Sequence, residues 1–412
     1  MTNAMRHITA AVAILAALLT ITPRPLSAQD IVIGVVHWEK YAYAEMMKNS
    51  YTMALESINR AGGVKGRSLK LVYADDRGDR RGGATAVTEL VKEKGAVMLI
   101  GGYASANTLY TARTANRLDR PFLVCTAADD RITQREQINV YRLNPPAGEY
   151  TKGLQAFLTE RVSPRSMAIV YENSPYGTGG AMNMMWFCRE NDIELMAIIP
   201  YFKERASSDY FERILAPLKY HSPDVIFMVS YLKDAVQLVA KIRSMKFNAL
   251  LCGGAGGFTH YKFIELAKAA GDRLVTAALW APETGFRGAE AYYRAYVQNF
   301  GATPDYHGAE AYTAVLVAAE ALQHAEGLAP EQIRAALDRI DMETPFGPVR
   351  FTAYGNYQRQ NQADTLVLQI TGGRFATIWP ESELMATSGL GHRRVLRDEA
   401  VVTRVAEFVA AS

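Results

Sequence analysis

Apolar residues along this chain fall into short continuous runs separated by segments in which they recur every three or four positions. The runs at 31–36, 69–73, 97–100 and 122–124 predict buried strands, and the helical periods at 44–60, 83–93 and 105–118 fall between them. The character changes at Tyr141-Arg142-Leu143-Asn144-Pro145-Pro146, and the alternation then restarts. A helix at 150–160 leads into strands at 167–171, 194–199, 225–229 and 249–251. Strand–helix alternation requires parallel strands joined by right-handed crossovers, so the expectation is an α/β fold of two doubly wound, Rossmann-like lobes. A less regular third stretch predicts a strand at 274–279, helices at 289–299, 307–325 and 330–339, and strands at 348–351, 365–370 and 375–378. Gly372-Gly373 turns the last two strands into a hairpin.

The front of the chain has a different pattern. Arg6 and His7 precede an apolar run of about 14 residues, short of the roughly 20 that span a bilayer, and Leu26-Ser27-Ala28 supplies small residues for cleavage. These features predict a secretory signal peptide at 1–28 and a mature chain in a periplasm. The residue directly after the cleavage site is Gln29 rather than a cysteine, which argues against a lipid anchor. Roughly 384 residues then remain, enough for two domains with well-buried cores. Formal charge is +3, and removing Arg6 and Arg24 lowers it to +1, so no basic field suited to nucleic acid exists. The odd cysteine count, Cys125, Cys188 and Cys252, each in or beside an apolar run, predicts buried thiols with at most one pair among them.

The stretch Ser57-Ile-Asn-Arg-Ala-Gly-Gly-Val-Lys-Gly-Arg-Ser-Leu-Lys-Leu-Val-Tyr-Ala-Asp-Asp76 packs a helix end, a glycine turn and a strand into one reading frame. It resembles the "INxAGGVxGR" signature of type I periplasmic solute-binding proteins related to the branched-chain amino-acid receptors of ABC transporters. The resemblance spans about 31 to 380 and implies two lobes joined by a three-strand hinge. On that basis the first lobe is expected at 29–145 plus 281–347, the second at 146–280 plus 348–380, and a C-terminal extension at 381–412. The extension has apolar residues at helical spacing over 398–410 but is given no function.

Ligands of doubly wound sheets bind at the carboxyl ends of the strands, where loop amides and helix N-termini point outward. The loop Gly101-Gly102-Tyr103-Ala104-Ser105-Ala106-Asn107-Thr108 leaves its strand on glycines and starts a helix at a serine. Ser105 is suited either to cap that helix or to receive a carboxylate with the following amides. The loop resembles the family's "GxxxSSxT" carboxylate-binding segment with Ser105 at the key serine, so Tyr103, Ala104 and Ser105 are candidates. Leu123-Val-Cys-Thr-Ala-Ala-Asp-Asp130 resembles the family's "SPSAT" loop and adds Thr126 and Ala128, with Ala128 in the threonine position. In the second lobe, Tyr171-Glu-Asn-Ser-Pro-Tyr-Gly177 and Val229-Ser-Tyr231 resemble ligand-covering loops and add Tyr176 and Tyr231.

Two loops depart from the family. Leu251-Cys-Gly-Gly-Ala-Gly-Gly-Phe258 has only Gly and Ala where amino-acid receptors commonly place a glutamate for the ligand ammonium. Desolvating an ammonium without a counter-charge costs several kcal/mol, so an α-amino acid needs Glu39, Asp129 or Glu283 as substitute. The first loop reads His37-Trp-Glu-Lys-Tyr-Ala-Tyr43, and Trp38, Gly254 and Phe258 join the candidates. With Trp280, the expected cleft is rich in aromatics and suits a planar or aromatic carboxylate.

No G-x-S-x-G elbow, P-loop or H-E-x-x-H is present, and the glycines at 253–257 do not fit G-x-G-x-x-G, so no enzyme, metal or cofactor is expected. The resemblance implies a monomeric substrate-binding component of an ABC importer, with a carboxylate ligand and an inner-membrane permease pair as partners. The alternative is a sensory subunit that reports to a membrane receptor.

Overall fold

The computed structural model describes residues 29–134, 137–220 and 222–380, so the predicted signal peptide at 1–28 and the extension at 381–412 lie outside the described residues. The first sheet holds β1 (Ile31–His37), β2 (Leu69–Asp75), β3 (Met98–Gly101), β4 (Phe122–Val124) and β5 (Val140–Arg142), all parallel, in the order 2-1-3-4-5. Helices α1 (Ala44–Arg60), α2 (Arg80–Lys92) and α3 (Ser105–Arg117) connect them. After α4 (Lys152–Phe157), the second sheet repeats the plan. Its β6 (Ser166–Glu172), β7 (Glu194–Tyr201), β8 (Val225–Val229), β9 (Leu250–Gly253) and β10 (Val275–Ala278) run in the order 7-6-8-9-10. Its crossovers are α5 (Pro175–Glu190), α6 (Ser208–Leu215), α7 (Leu232–Ser244) and α8 (Tyr261–Ala267).

Strands buried on both faces explain the continuous apolar runs: all five residues of β8 are buried, as are all of β3 and β9. The signature turn after α1 is held by a side chain as well as by glycine. Asn59 donates to the Leu69 carbonyl and accepts the Leu69 N–H, tying the helix end to the start of β2. Gly63 sits at φ +72°, and a Cβ there would lie 2.0 Å from the Arg67 carbonyl oxygen.

The remaining chain adds α9 (Ala289–Phe300), α10 (Tyr306–His324) and α11 (Pro330–Leu337) to the first lobe, with α10 packed along α1. The last third differs from expectation. β11 (Asp341–Thr344) and β12 (Gly347–Arg350) form a separate hairpin, and β13 (Thr352–Tyr354) and β14 (Tyr357–Gln360) extend the first sheet beside β5. Only β15 (Leu366–Thr371) and β16 (Arg374–Trp379) join the second sheet. Residues 348–360 therefore do not belong with the second lobe, and the third crossover lies between Gln360 and Leu366 rather than at 347–350. The cause is a buried polar cluster with no apolar signature. The fully buried Arg142 guanidinium donates to Gln360 Oε1 at 2.6 Å and to Thr133 Oγ1 at 2.9 Å, fastening β14 to β5. Asn361 completes the join through the Leu143 carbonyl. All three cysteines are buried and free. Among the described residues no helix is long and apolar enough to cross a membrane.

Candidate functional site

In each sheet the strand order reverses once, between β1 and β3 and between β6 and β8, and the loops at those carboxyl ends face each other across the lobe interface. In the first lobe, β3 ends on Gly101 and Gly102, at φ +118° and +85°, which turn the chain toward the second lobe. Ala104, not Ser105, holds the N-cap position of α3, and it offers no capping side chain. Ser105 is thus released from capping, and its hydroxyl accepts the Ala128 N–H at 3.1 Å, joining the two first-lobe loops. Thr126 donates its hydroxyl to the Gly102 carbonyl at 3.0 Å. Behind these loops, Arg142 donates to the Asp129 carbonyl at 2.7 Å, so a buried guanidinium supports the segment from the rear.

In the second lobe, Ser174 caps α5 and directs Tyr176 across the glycine-rich loop, where its hydroxyl donates to the Gly254 carbonyl at 2.8 Å. That loop meets the first lobe at Gly256. Its carbonyl accepts the Tyr43 hydroxyl at 2.7 Å, and its N–H donates to the Tyr306 hydroxyl at 3.3 Å. Thr259 donates to Asp305 Oδ2 at 3.2 Å. The lobes are closed on each other. Between the strand ends they leave a cavity of about 20 Å³.

Six sequence candidates line that cavity: Tyr103, Ser105, Thr126, Ala128, Tyr176 and Tyr231. Four others do not. Ala104 serves as the helix cap, Gly254 presents its carbonyl to Tyr176, and Trp38 stacks on Tyr41 one layer out, with ring centroids 6.0 Å apart. Phe258 is fully buried in the second-lobe core against Phe263, because the turn at Gly256 and Gly257 folds its ring back under β9 rather than into the cleft. Trp280, also expected in the cleft, donates its indole N–H to Pro345 at the crossovers. The structure adds Tyr150, Gly256, Tyr306 and His307 to the lining. Tyr306 and His307 had a local signal, since they open α10 directly after Asp305, whose carboxylate caps it by accepting the His307 N–H. Tyr150 had none. It arrives through the crossover, where its hydroxyl pairs with Asn144 and the Thr126 carbonyl.

The acids expected to face a ligand cation are elsewhere. Asp129 is tied to Arg131 at 2.7 Å, Glu39 is exposed, and Glu283 lies along a larger groove of about 560 Å³ over the crossovers, beside Phe286, Phe346 and Trp379. That groove is away from the strand ends. Two buried acids, Asp305 at the cap of α10 and Glu310 in its first turns, flank the residues of that helix that line the small cavity. Burial works to raise the Asp305 carboxyl, but the His307 and His260 imidazoles outweigh it and hold it below the ordinary value. Glu310 is fully buried, neither oxygen has a hydrogen-bond partner among the described residues, and burial pushes its carboxyl well up. Burial also lowers the His260 imidazole to about 4 and raises the cleft tyrosines. No group of His, Cys, Asp and Glu among the described residues is arranged to hold a metal ion.

The family model described as "Periplasmic binding protein" matches residues 40–374. Among curated proteins, the chain is 26% identical over 350 residues to Leu/Ile/Val-binding protein homolog 7 of Brucella melitensis, covering 80% of this chain and 86% of that protein. Homolog 8 of the same organism is 24% identical over 356 residues, covering 81% and 86%. Among solved structures, LivJ of Streptococcus pneumoniae in complex with isoleucine superposes with a TM-score of 0.77 at 21% identity, over 85% of this chain and 99% of that one. A solute-binding protein of R. palustris in complex with benzoate gives 0.74 at 17% identity, over 85% and 96%. With the match running through both sheets, this chain belongs to the periplasmic binding protein family.

Proposed function

We propose that this protein is the periplasmic substrate-binding component of an ABC importer and that it closes its two lobes over a small carboxylate. The observation that carries this is the joining of Ser105 Oγ to the Ala128 N–H at the first-lobe strand ends, with tyrosines of the second lobe set directly opposite. A carboxylate there takes the serine hydroxyl and the loop amides, and buried Arg142 behind the 126–129 segment adds a favourable field. Tyr176 and Tyr231 come from the second lobe, so their contacts exist only in the closed form. Binding therefore shifts the population toward closure, and the closed form is what a permease pair receives.

A thermal-shift screen of the mature chain against aliphatic amino acids, aromatic acids and small amides tests the reading, since a ligand of the native state raises the melting temperature. Stabilisation by carboxylates but not by their amides is expected, with compaction of the same complex in small-angle scattering. Stabilisation by the amides alone would remove the carboxylate site.

A further inference from the structure

The groove of about 560 Å³ over the crossovers takes no part in the carboxylate site proposed above. All three crossovers border it: Glu149 follows the first, Phe286 lies in the second and Ala363 in the third. Its apolar surface is incompletely covered, with Phe286, Leu366 and Trp379 only half-buried. Two hydroxyls in its lining are orphaned. Thr284 and Thr377 are each 6% exposed, and neither Oγ1 has a hydrogen-bond partner among the described residues. Buried hydroxyls are rarely left unpaired, so the groove is shaped for a cover that brings polar as well as apolar groups.

The sequence carries such a cover next to it. Pro380, the last of the described residues, itself lines the groove, and residues 381–412 continue from it. Within them Val401, Val402, Val405, Phe408 and Val409 fall at i, i+1, i+4, i+7 and i+8, one stripe of a helix with Thr403, Arg404 and Glu407 opposite. An isolated helix of about 13 residues is marginal in water, so this stripe needs an apolar surface to form against. The linking residues 381–397 span at most roughly 56 Å, which reaches every part of the groove and holds the stripe near it at an effective concentration on the order of millimolar. Charge agrees with this placement. The charged residues lining the groove are Glu149, Glu283 and Asp364 against Lys152, whereas the link ends in a basic run, His392-Arg393-Arg394 and then Arg397.

We infer that residues 398–410 seat their apolar stripe in this groove, with the basic run toward its acidic rim, and so brace the three crossovers from outside. A segment held there touches chain leading into both lobes, and hinge bending changes its contacts.

Thiol labelling of the mature full chain tests this. Gln362 is exposed and lines the groove, so Gln362→Cys places a reporter under the proposed cover, while the three native cysteines are buried. Iodoacetamide is expected to label that reporter at least about tenfold faster once Val405→Asp and Phe408→Asp disrupt the stripe. Arg393→Glu with Arg394→Glu keeps the stripe and reverses the charge, and it is expected to raise the rate at least about threefold at low salt. Native thiols that stay unlabelled in each variant show that the fold is kept; should the aspartate pair unfold the chain, the glutamate pair alone decides. Labelling rates equal to that of the unaltered extension in both pairs would overturn the inference. Protection that grows with protein concentration would overturn it too, since a second copy would then be the cover.

Discussion

The bond from Tyr43 to Gly256, at 2.7 Å, is the shortest of the three that residues 256–259 of the second lobe make to the first, and Tyr43→Phe removes it while leaving the ring. The ring contacts with His307 at 3.7 Å and His260 at 4.5 Å remain, so packing of the closed form is largely kept. The Gly256 carbonyl also keeps the Thr259 hydroxyl at 3.1 Å, so it is not stranded. The loss is then that of one neutral hydrogen bond, about 0.5–1.5 kcal/mol, with the lower half expected. If closure is coupled to binding, the affinity for ligand falls by roughly two- to fivefold, because only the closed fraction binds at full strength. Adding Thr259→Val removes the hydroxyl, but the Thr259 N–H still pairs the carbonyl at 3.3 Å, so the expected further loss is again that of one neutral hydrogen bond, about 0.5–1.5 kcal/mol. Calorimetric Kd values for wild type, both single variants and the double variant measure this directly. An unchanged Kd in Tyr43→Phe would refute the latch.

Ser105→Ala leaves the Ala128 N–H without its acceptor and is expected to weaken carboxylate binding by about 1–3 kcal/mol; unchanged affinity in the same titration removes Ser105 from the site. Burial lowers the His37 and His260 imidazoles to about 4, so the unfolded chain binds protons first as pH falls below 6.5, and each group withdraws roughly 3 kcal/mol of stability by pH 4. Burial raises the Asp76 carboxyl to about 6, which acts with the opposite sign over the same range and returns roughly 3 kcal/mol. The melting temperature should therefore fall between pH 6.5 and 4, and fall further in Asp76→Asn; a flat profile contradicts the burial argument. Burial pushes the Cys125 and Cys188 thiols up to about 12 and Cys252 higher still, so a thiol reagent should label none of the three in the native protein and all three in denaturant.

Sequence alone determined the elements whose physics is local. The five-strand alternation of each lobe follows from apolar runs that only doubly covered parallel strands produce, and the turn after α1 follows from glycines in a conformation that other residues rarely adopt. The four first-lobe candidates Tyr103, Ser105, Thr126 and Ala128 were legible because they follow strand ends, where the chain must turn toward the cleft. Tertiary structure decided the rest. β13 and β14 join the first sheet through Arg142 and Gln360, a polar bond between residues 218 positions apart, which leaves no apolar period to read. Phe258 was legible as an aromatic at a strand end, but the turn at Gly256 and Gly257 decided that it faces a core and not the cleft. Tyr150 enters the site from a crossover with nothing near it in sequence to mark a cleft, and Tyr306 and His307 enter from the start of a helix that returns to the first lobe, marked locally only by the Asp305 cap. A strand or turn is set by neighbours along the chain. A site between lobes is set by which distant surfaces the crossovers bring into contact.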